Sequence, residues 1–201
     1  MFIHMRLETE RLIIRPFTLK DAEKLQVICS DEEVVRYLPE NVMTLDEVRE
    51  IIAWLLDCYQ KNTPDNIVKF TVAVELKDSN ELIGWCGLGP LEFAPSETEI
   101  FCGFARQFWG RGIATEAARA MLGYGFETVG LIEIAAVVHP DNVASKRVIE
   151  KMGLIYRRQF TDPTGGYRDY ADYYYFSLRR DEYTGAQKRP SPDRQFYRGE
   201  N

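Results

Sequence analysis

The stretch QFWGRGIATEA contains the residues whose types and spacing most favour chemistry with an anion. Gly110 and Gly112 lie between a predicted strand and a predicted helix, where the first helical amides have no acceptor within the helix. A helix N-terminus carries about half a positive charge, and Arg106 and Arg111 add cations beside it. The turn from Gln107 to Ala114 therefore predicts a site for a phosphate group, and a pyrophosphate suits it best.

Three classes of ligand use turns of this kind. A nucleoside triphosphate loop of the form GxxxxGK[ST] needs a lysine, and none follows Gly112. A dinucleotide turn has a third glycine and follows the first strand of repeated βαβ units. Here GRGIAT lacks the third glycine and follows several hairpin-like strands, although Glu133 stands about ~20 residues downstream as that motif requires. Both classes are disfavoured, and coenzyme A is the third.

Several motifs carry a family resemblance. QFWGRG matches the Q/RxxGxG/A signature of GNAT-type N-acetyltransferases, and the strand, turn, helix, strand and NxxS helix follow in that family's order. The opening LETERLIIRPF, residues 7–17, is similar to the ETERLxLRPF pattern of the branch that contains ribosomal-protein N-terminal (alanine) acetyltransferases. The resemblance spans about residues 7–178. It implies that acetyl-CoA, as a co-substrate and without a metal, donates acetyl to a primary amine by direct attack in a ternary complex.

The resemblance also implies a set of coenzyme-binding residues. In the family, free amides of the strand before the signature hold the pantetheine arm, an asparagine lies beside that arm, and the turn holds the diphosphate. Carried over, the predicted set is Cys102, Gly103, Phe104, Ala105, Arg106, Gln107, Gly110, Arg111, Gly112, Ile113, Ala114, Thr115, Asn142, Ser145 and Arg147.

Two residues are candidates for catalysis. Glu99 matches an acidic position of the similar branch and shares a strand face with Glu97, so it is the predicted base, directly or through water. A solvated charge near a strand end is the alternative for Glu99. Ser145 is predicted to donate a hydrogen bond or a proton to the coenzyme sulfur. Many relatives carry a tyrosine seven residues after the asparagine, and Ile149 stands there instead. A non-catalytic acetyl-CoA-binding sensor therefore stays open.

The elements that must position these residues predict one α/β domain. We expect a mixed, mostly antiparallel central sheet of about six or seven strands with helices on both faces, the GNAT fold. Thr18 with Asp21, and Thr44 with Glu47, fit capping boxes at two helix starts. Predicted strands cover 11–17, 67–76, 81–88, 98–105, 131–138, 154–160 and 170–178, and predicted helices also cover 113–129 and 143–152. The domain is expected over 1–184, with a polar tail over 185–201.

Composition restricts the remaining possibilities. The 201 residues carry a net charge of −6, which disfavours nucleic acid and anionic lipid as partners. No apolar run reaches the ~20 residues that a membrane span needs. Four single cysteines lack a CxxC pair or a histidine at metal-ligand spacing, so no metal is expected. His139 before a proline is predicted to be structural. We expect a cytoplasmic monomer or homodimer that acts on an amine-bearing acceptor.

Overall fold

The chain is built around one mixed sheet in a computed structural model that describes residues 1–38, 42–160 and 170–183. Over these residues the sheet has eight strands in the order β1-β2-β3-β4-β5-β6-β8-β7, and every neighbouring pair except β5 and β6 is antiparallel. The predicted mixed, mostly antiparallel sheet is confirmed, and a short edge strand at Leu7–Glu8 adds to the predicted number. The strands are β1 Leu7–Glu8, β2 Leu12–Pro16, β3 Phe70–Leu76, β4 Leu82–Leu91, β5 Ala94–Phe104, β6 Glu133–Val138, β7 Ile155–Gln159 and β8 Tyr174–Arg179.

Five α-helices pack with this sheet in the described part of the chain. They are α1 Ala22–Cys29, α2 Glu32–Val35, α3 Leu45–Lys61, α4 Ile113–Gly123 and α5 Val143–Met152. Both predicted capping boxes are present, at Thr18 with Asp21 and at Thr44 with Glu47. At the second, the amide of Glu47 donates to the Thr44 hydroxyl at 3.3 Å, and the amide of Thr44 donates to the Glu47 carboxylate at 2.7 Å. Helix α5 begins and ends where the sequence predicts.

The helix predicted over 113–129 changes its winding halfway. Helix α4 ends at Gly123, and Tyr124–Val129 continue as a π-helical turn that stops at Gly130, where φ is 95°. Gly125 explains the close packing in this turn, because a Cβ there would stand 2.7 Å from the side chain of Ile134. The turn also lies near Leu88, so α4 and its extension cover the face of the sheet that carries Leu88.

Two prolines, a residue type that usually interrupts a strand, lie inside strands of this sheet. Pro90 belongs to β4 and Pro95 to β5. Strand β3 begins at Phe70, opposite Leu88, so Pro90 lies beyond the end of β3 and its missing amide costs no bond to that strand. The two strands therefore extend past the predicted limits. The predicted tail over 185–201 lies outside the described residues.

Candidate active site

The glycine turn joins β5 to α4. Gly110 and Gly112 have φ values of 74° and 76°, which non-glycine residues rarely adopt. Before them Gln107 lies in a 3-10 turn, and the Trp109 indole donates to the carbonyl of Phe104 at 2.7 Å. The first bond of the helix runs from the amide of Glu116 to the carbonyl of Gly112 at 3.1 Å. The amides of Ile113, Ala114 and Thr115 therefore have no acceptor within the helix.

Strands β5 and β6 separate just beside this turn. Their pairing consists of one residue pair, Glu99 opposite Ala135. Strand β5 continues to Phe104 and β6 to Val138, so the parallel strands diverge toward their carboxyl ends. Main-chain groups of β5 beyond Glu99 consequently face a gap between two strands. The gap opens toward the N-terminus of α4, since α4 follows β5 through the glycine turn.

The four predicted amides of β5 divide between two directions. The amide of Ala105 donates to the carbonyl of Ile83 at 2.9 Å, so it is used by the β4 side and does not reach the gap. The register continues through Gly103 opposite Trp85, and antiparallel bonds alternate, so the amide of Gly103 also faces β4. The amides of Cys102 and Phe104 point the other way. The structure thus corrects the prediction to two amides of these four.

Glu99 lies at the point where the strands separate. In a continuous parallel ladder the amide of Val137 would face the carbonyl of Ile100. Here the strands have separated, and the amide of Val137 lies close enough to the Glu99 carboxylate to lower its pKa. Burial raises the pKa of Glu99 to about 7, against the lowering effects of Lys69 and of the Val137 amide, and the charge of Glu92 adds to the rise. A half-buried carboxyl that titrates near neutrality can accept a proton.

Glu97, the second acidic candidate, is engaged elsewhere. Its carboxylate accepts a hydrogen bond from the Tyr175 hydroxyl at 2.6 Å. That bond and burial of the phenol raise the pKa of Tyr175, with burial the larger cause. Glu99 is therefore the better placed of the two carboxylates to act as a base.

Helix α5 begins at the other side of the gap. Asn142 is its N-cap, and the side-chain oxygen accepts from the amide of Ser145 at 3.1 Å. Ser145 is partly exposed in the first turn, and Arg147 is exposed on the same helix. Ile149, by contrast, is 6% exposed and belongs to the core. The position that carries a tyrosine in many relatives therefore offers no hydroxyl in this chain.

The two arginines beside the turn differ in their partners. Arg106 pairs with Asp31 at the start of α2, Nε to Oδ2 3.2 Å, so its charge is already balanced. The guanidinium of Arg111 lies 5.8 Å from the centre of the Phe108 ring, and Arg111 is exposed. Arg111 is thus the cation of the pair that is better placed to meet a phosphate.

A cluster of aromatic rings, which the sequence analysis did not predict, lies around His139, just after the end of β6. His139 stacks on Tyr37 at 5.4 Å and meets the edge of Tyr173 at 5.1 Å, measured between ring centres. The Nδ1 atom of His139 accepts from the amide of Asp141 at 3.1 Å, in keeping with its predicted structural role. Lys69 lies 4.1 Å from the Phe101 ring centre. No pattern in the sequence links residue 37 or residue 69 to the strands that they meet here.

The described residues contain no cluster of three or more His, Cys, Asp or Glu side chains that could hold a metal ion. Within the same residues no helix has the length and apolar character needed to cross a membrane.

Residues 11–155 match the acetyltransferase (GNAT) domain family. The chain therefore belongs to this family, and the family prediction is confirmed. An acetyltransferase of the GNAT family from Bacillus anthracis has the same fold, with a TM-score of 0.71 and 31% identity over 89% of this chain and 100% of its own. The class of protein that fold and site define is thus an N-acetyltransferase.

Individual relatives support the same class. The chain is 32% identical to YnaD, an uncharacterised N-acetyltransferase of Bacillus subtilis, over 89% of this chain and 99% of that protein. It is 29% identical to the FsC-acetyl coenzyme A-N(2)-transacetylase of Aspergillus fumigatus, over 90% and 79%. A putative ribosomal N-acetyltransferase of Bacillus subtilis, YdaF, is 27% identical over 88% and 95%. The protein is accordingly an acetyltransferase.

Proposed function

We propose that the protein transfers the acetyl group of acetyl-CoA to a primary amine by direct attack within a ternary complex. The observation that carries this proposal is the separation of β5 from β6 beside the glycine turn. A gap of this kind exposes main-chain donors next to a helix N-terminus, and the two together suit a long phosphorylated thioester. The name of the Aspergillus relative supports acetyl-CoA as the donor.

We expect residues of the glycine turn and of the gap between β5 and β6 to hold the coenzyme. The amides of Ile113, Ala114 and Thr115 would bind the diphosphate, with Arg111 as an added cation. The amides of Cys102 and Phe104 would bind the pantetheine arm from the β5 side of the gap. On the other side, the cap at Asn142 uses only the side-chain oxygen, so the NH2 group of Asn142 can donate to the arm.

The remaining residues of the predicted coenzyme-binding set would support the site through their places in the fold. Gln107, Gly110 and Gly112 shape the turn, Gly103 and Ala105 hold β5 on β4, and Arg106 ties the turn to α2 through Asp31. Ser145 lies in the first turn after the cap, and Arg147, two residues further along α5, is exposed and would meet an outlying phosphate.

The chemistry assigns separate roles to Glu99 and Ser145. The amine nitrogen attacks the thioester carbonyl carbon, and Glu99 takes the released proton directly or through one water. Main-chain donors of β5 stabilise the oxyanion, the carbon–sulfur bond breaks, and Ser145 supplies a hydrogen bond or proton to the departing thiolate. Two bound substrates held in this way need no covalent intermediate on the enzyme.

The cysteines support direct transfer. Burial raises the pKa of Cys102 to about 12 and raises the pKa of Cys86 well above its ordinary value. A thiol, and not a thiolate, is therefore present at neutral pH, and a thiol is a poor nucleophile. An acetyl-cysteine intermediate on β5 or β4 is disfavoured.

The acceptor is a primary amine, either a protein N-terminus or a small-molecule amine. The similarity to YdaF, a putative ribosomal N-acetyltransferase, favours the first. We place the reaction in the cytoplasm and expect a monomer or homodimer that acts without nucleic acid or a membrane.

One observation favours an alternative function, a non-catalytic sensor of acetyl-CoA. The tyrosine of many relatives is replaced by Ile149, which is buried in the core. A sensor would bind acetyl-CoA through the same turn without turning it over.

Transfer to a panel of amines, measured by mass spectrometry, separates the two. The panel contains peptides with free N-termini, amino acids, polyamines and small drug-like amines, each with acetyl-CoA. The enzyme predicts at least one acetylated product whose formation falls in Glu99→Gln. Binding of acetyl-CoA without any product across the panel would favour the sensor, and absence of binding would contradict both functions.

A further inference from the structure

The opening pattern LETERL has no role in the coenzyme site as described so far. Thr9 and Arg11 lie just before β2, three strands from β5 in the sheet order. The register nevertheless places the start of β2 at the same end of the sheet as the end of β5, because Leu12 pairs with Leu76 at the end of β3, and Gly84 pairs with Phe104. The opening pattern is thereby brought to the first turn of α4.

Glu116, in this first turn, is the anchor of the contact. Its Oε1 accepts from the Thr9 hydroxyl at 2.5 Å and from the amide of Arg11 at 2.9 Å. Its Oε2 accepts from Nε of Arg11 at 2.7 Å, and Nη2 of Arg11 lies 2.6 Å from the same oxygen. The Glu116 side chain is 18% exposed, so this pair is better shielded than an ordinary surface ion pair.

The third nitrogen of the Arg11 guanidinium reaches the glycine turn itself. Nη1 donates to the carbonyl of Arg111 at 2.9 Å. The peptide bond is planar and trans, so this carbonyl and the amide of Gly112 point in opposite directions. Holding the carbonyl of Arg111 therefore fixes the direction of the Gly112 amide. Gly112 has a φ of 76°, and glycine lacks the Cβ that limits backbone rotation in other residues. The hydrogen bond from Arg11 is therefore important for the direction of this amide.

Charge gives Arg11 a second task. A carboxylate in the first turn of α4 opposes an anion that binds at the same helix N-terminus. The guanidinium of Arg11 neutralises Glu116 at contact distance, so the positive potential of the turn is kept. Binding the Glu116 carboxylate and the carbonyl of Arg111 at the same time depends on a planar group with several donors, which arginine has and lysine lacks, whereas the charge alone is common to both.

We propose that Arg11 is a positioning residue for the coenzyme, which together with Glu116 and Thr9 holds the main chain of the glycine turn in its diphosphate-binding shape. The inference rests on the proposed binding of coenzyme A at this turn. It gives the ETER segment of the opening a physical role, that of a tie between two parts of the chain 105 residues apart.

Calorimetric titration with coenzyme A tests the role of Arg11. In Arg11→Gln, the dissociation constant should rise roughly 10- to 100-fold, the range expected for losing hydrogen bonds to charged groups. Arg11→Lys keeps the charge and loses the fork, so its affinity should fall between those of the wild type and Arg11→Gln. An unchanged dissociation constant in Arg11→Gln would overturn the inference.

A double-mutant cycle tests the compensation of Glu116 by Arg11. Glu116→Gln removes the anchor of Arg11 together with the negative charge, so it should lose less affinity for coenzyme A than Arg11→Gln, and Arg11→Gln combined with Glu116→Gln should recover part of the affinity lost in Arg11→Gln alone. Additive effects of the two substitutions would contradict the compensation of Glu116 by Arg11.

Arg15 supplies the matched control. It lies on β2, four residues after Arg11, but its guanidinium binds Asp21 at 2.8 Å and Glu75, away from the turn. Arg15→Gln should lower the melting temperature and leave the dissociation constant for coenzyme A within about twofold of the wild-type value. An equal loss of affinity in Arg11→Gln and Arg15→Gln would show a general structural effect and overturn the inference. If Arg11→Gln does not fold, Arg11→Lys against the wild type decides, and equal affinities contradict the proposal. Failure of the wild type to bind coenzyme A would instead contradict the proposed function.

Discussion

At the scale of single residues, Glu99 combines a structural position with a chemical one. Its carboxylate lies at the point where β5 and β6 separate, and burial raises its pKa to about 7. A carboxylate that is partly desolvated is a stronger base than one in water. The residue that marks the fork of the sheet is therefore also the one best suited to accept a proton there.

The rate should depend on pH through Glu99. A group with a pKa near 7 is protonated below that pH and available as a base above it, so kcat/KM of the wild type should rise with pH through about 7 and then level off. Glu99→Gln should lose this rise and lower the rate by roughly 100- to 10,000-fold, the usual contribution of general base catalysis. Steady-state kinetics with a reactive amine provide the measurement.

Glu97→Gln is the control for this prediction. The Glu97 carboxylate already accepts a hydrogen bond from Tyr175, so we expect its replacement to leave the pH profile unchanged. A Glu99→Gln variant that keeps both the rate and the pH dependence of the wild type would refute the assignment of the base.

The raised pKa of Glu99 lowers the stability of the folded state at neutral and higher pH. The folded state holds the Glu99 proton up to about pH 7, whereas an unfolded chain releases it near its ordinary value of 4.5. Stability from this group is therefore highest below pH 4.5 and is lost as the pH rises toward 7. We expect Glu99→Gln to melt at a higher temperature than the wild type at pH 8, and at the same temperature at pH 4. A scanning calorimeter at the two pH values checks this, and a lower melting temperature at pH 8 would contradict the burial of the carboxylate.

At the scale of elements, the glycine turn and α4 show what the sequence could predict. Helix starts can be predicted from capping boxes because these are local patterns, as at Thr44 with Glu47. The bounds of α5 can be predicted because an asparagine cap and Gly153 mark its ends. The π-helical turn after Gly123 was not readable, because the close packing of Gly125 on Ile134 depends on a strand that comes later in the chain.

Site geometry divides in the same way. The turn itself follows from the spacing of Gly110 and Gly112, which is a local property. The direction of the amides on β5 depends on the register with β4, and the pairing of Arg106 with Asp31 depends on where α2 lies. Such contacts join residues far apart in the chain, and local patterns carry no information about them.

Gly112 provides a prediction at this scale. Its φ of 76° is strained for any residue with a Cβ, although the nearest atom to a Cβ there is 3.6 Å away, so the cost comes from the backbone and not from a clash. Gly112→Ala should lower the free energy of unfolding by roughly 1 to 2 kcal/mol and weaken coenzyme A binding. Urea unfolding and calorimetry measure the two effects.

Gly112→Asn should be milder, because asparagine tolerates the left-handed region better than alanine. Equal stability of Gly112→Ala and the wild type would show that the turn is not held in this conformation.

At the scale of the whole molecule, one sheet serves both as scaffold and as site. Among the described residues, seven neighbouring pairs of strands hold the sheet, and the one parallel pair of these, β5 with β6, is the pair that opens. Antiparallel neighbours on both sides keep the gap from closing, since β5 is bonded to β4 along its length and β6 is bonded to β8 over six residue pairs. The membership of the chain in the GNAT family agrees with this arrangement.

The sharpest test is a crystal structure of the protein with coenzyme A. We expect the diphosphate against the amides of Ile113, Ala114 and Thr115, and the pantetheine arm between β5 and β6 with its thiol near Glu99. Coenzyme A bound at any other surface, with the gap between these strands empty, would contradict the account.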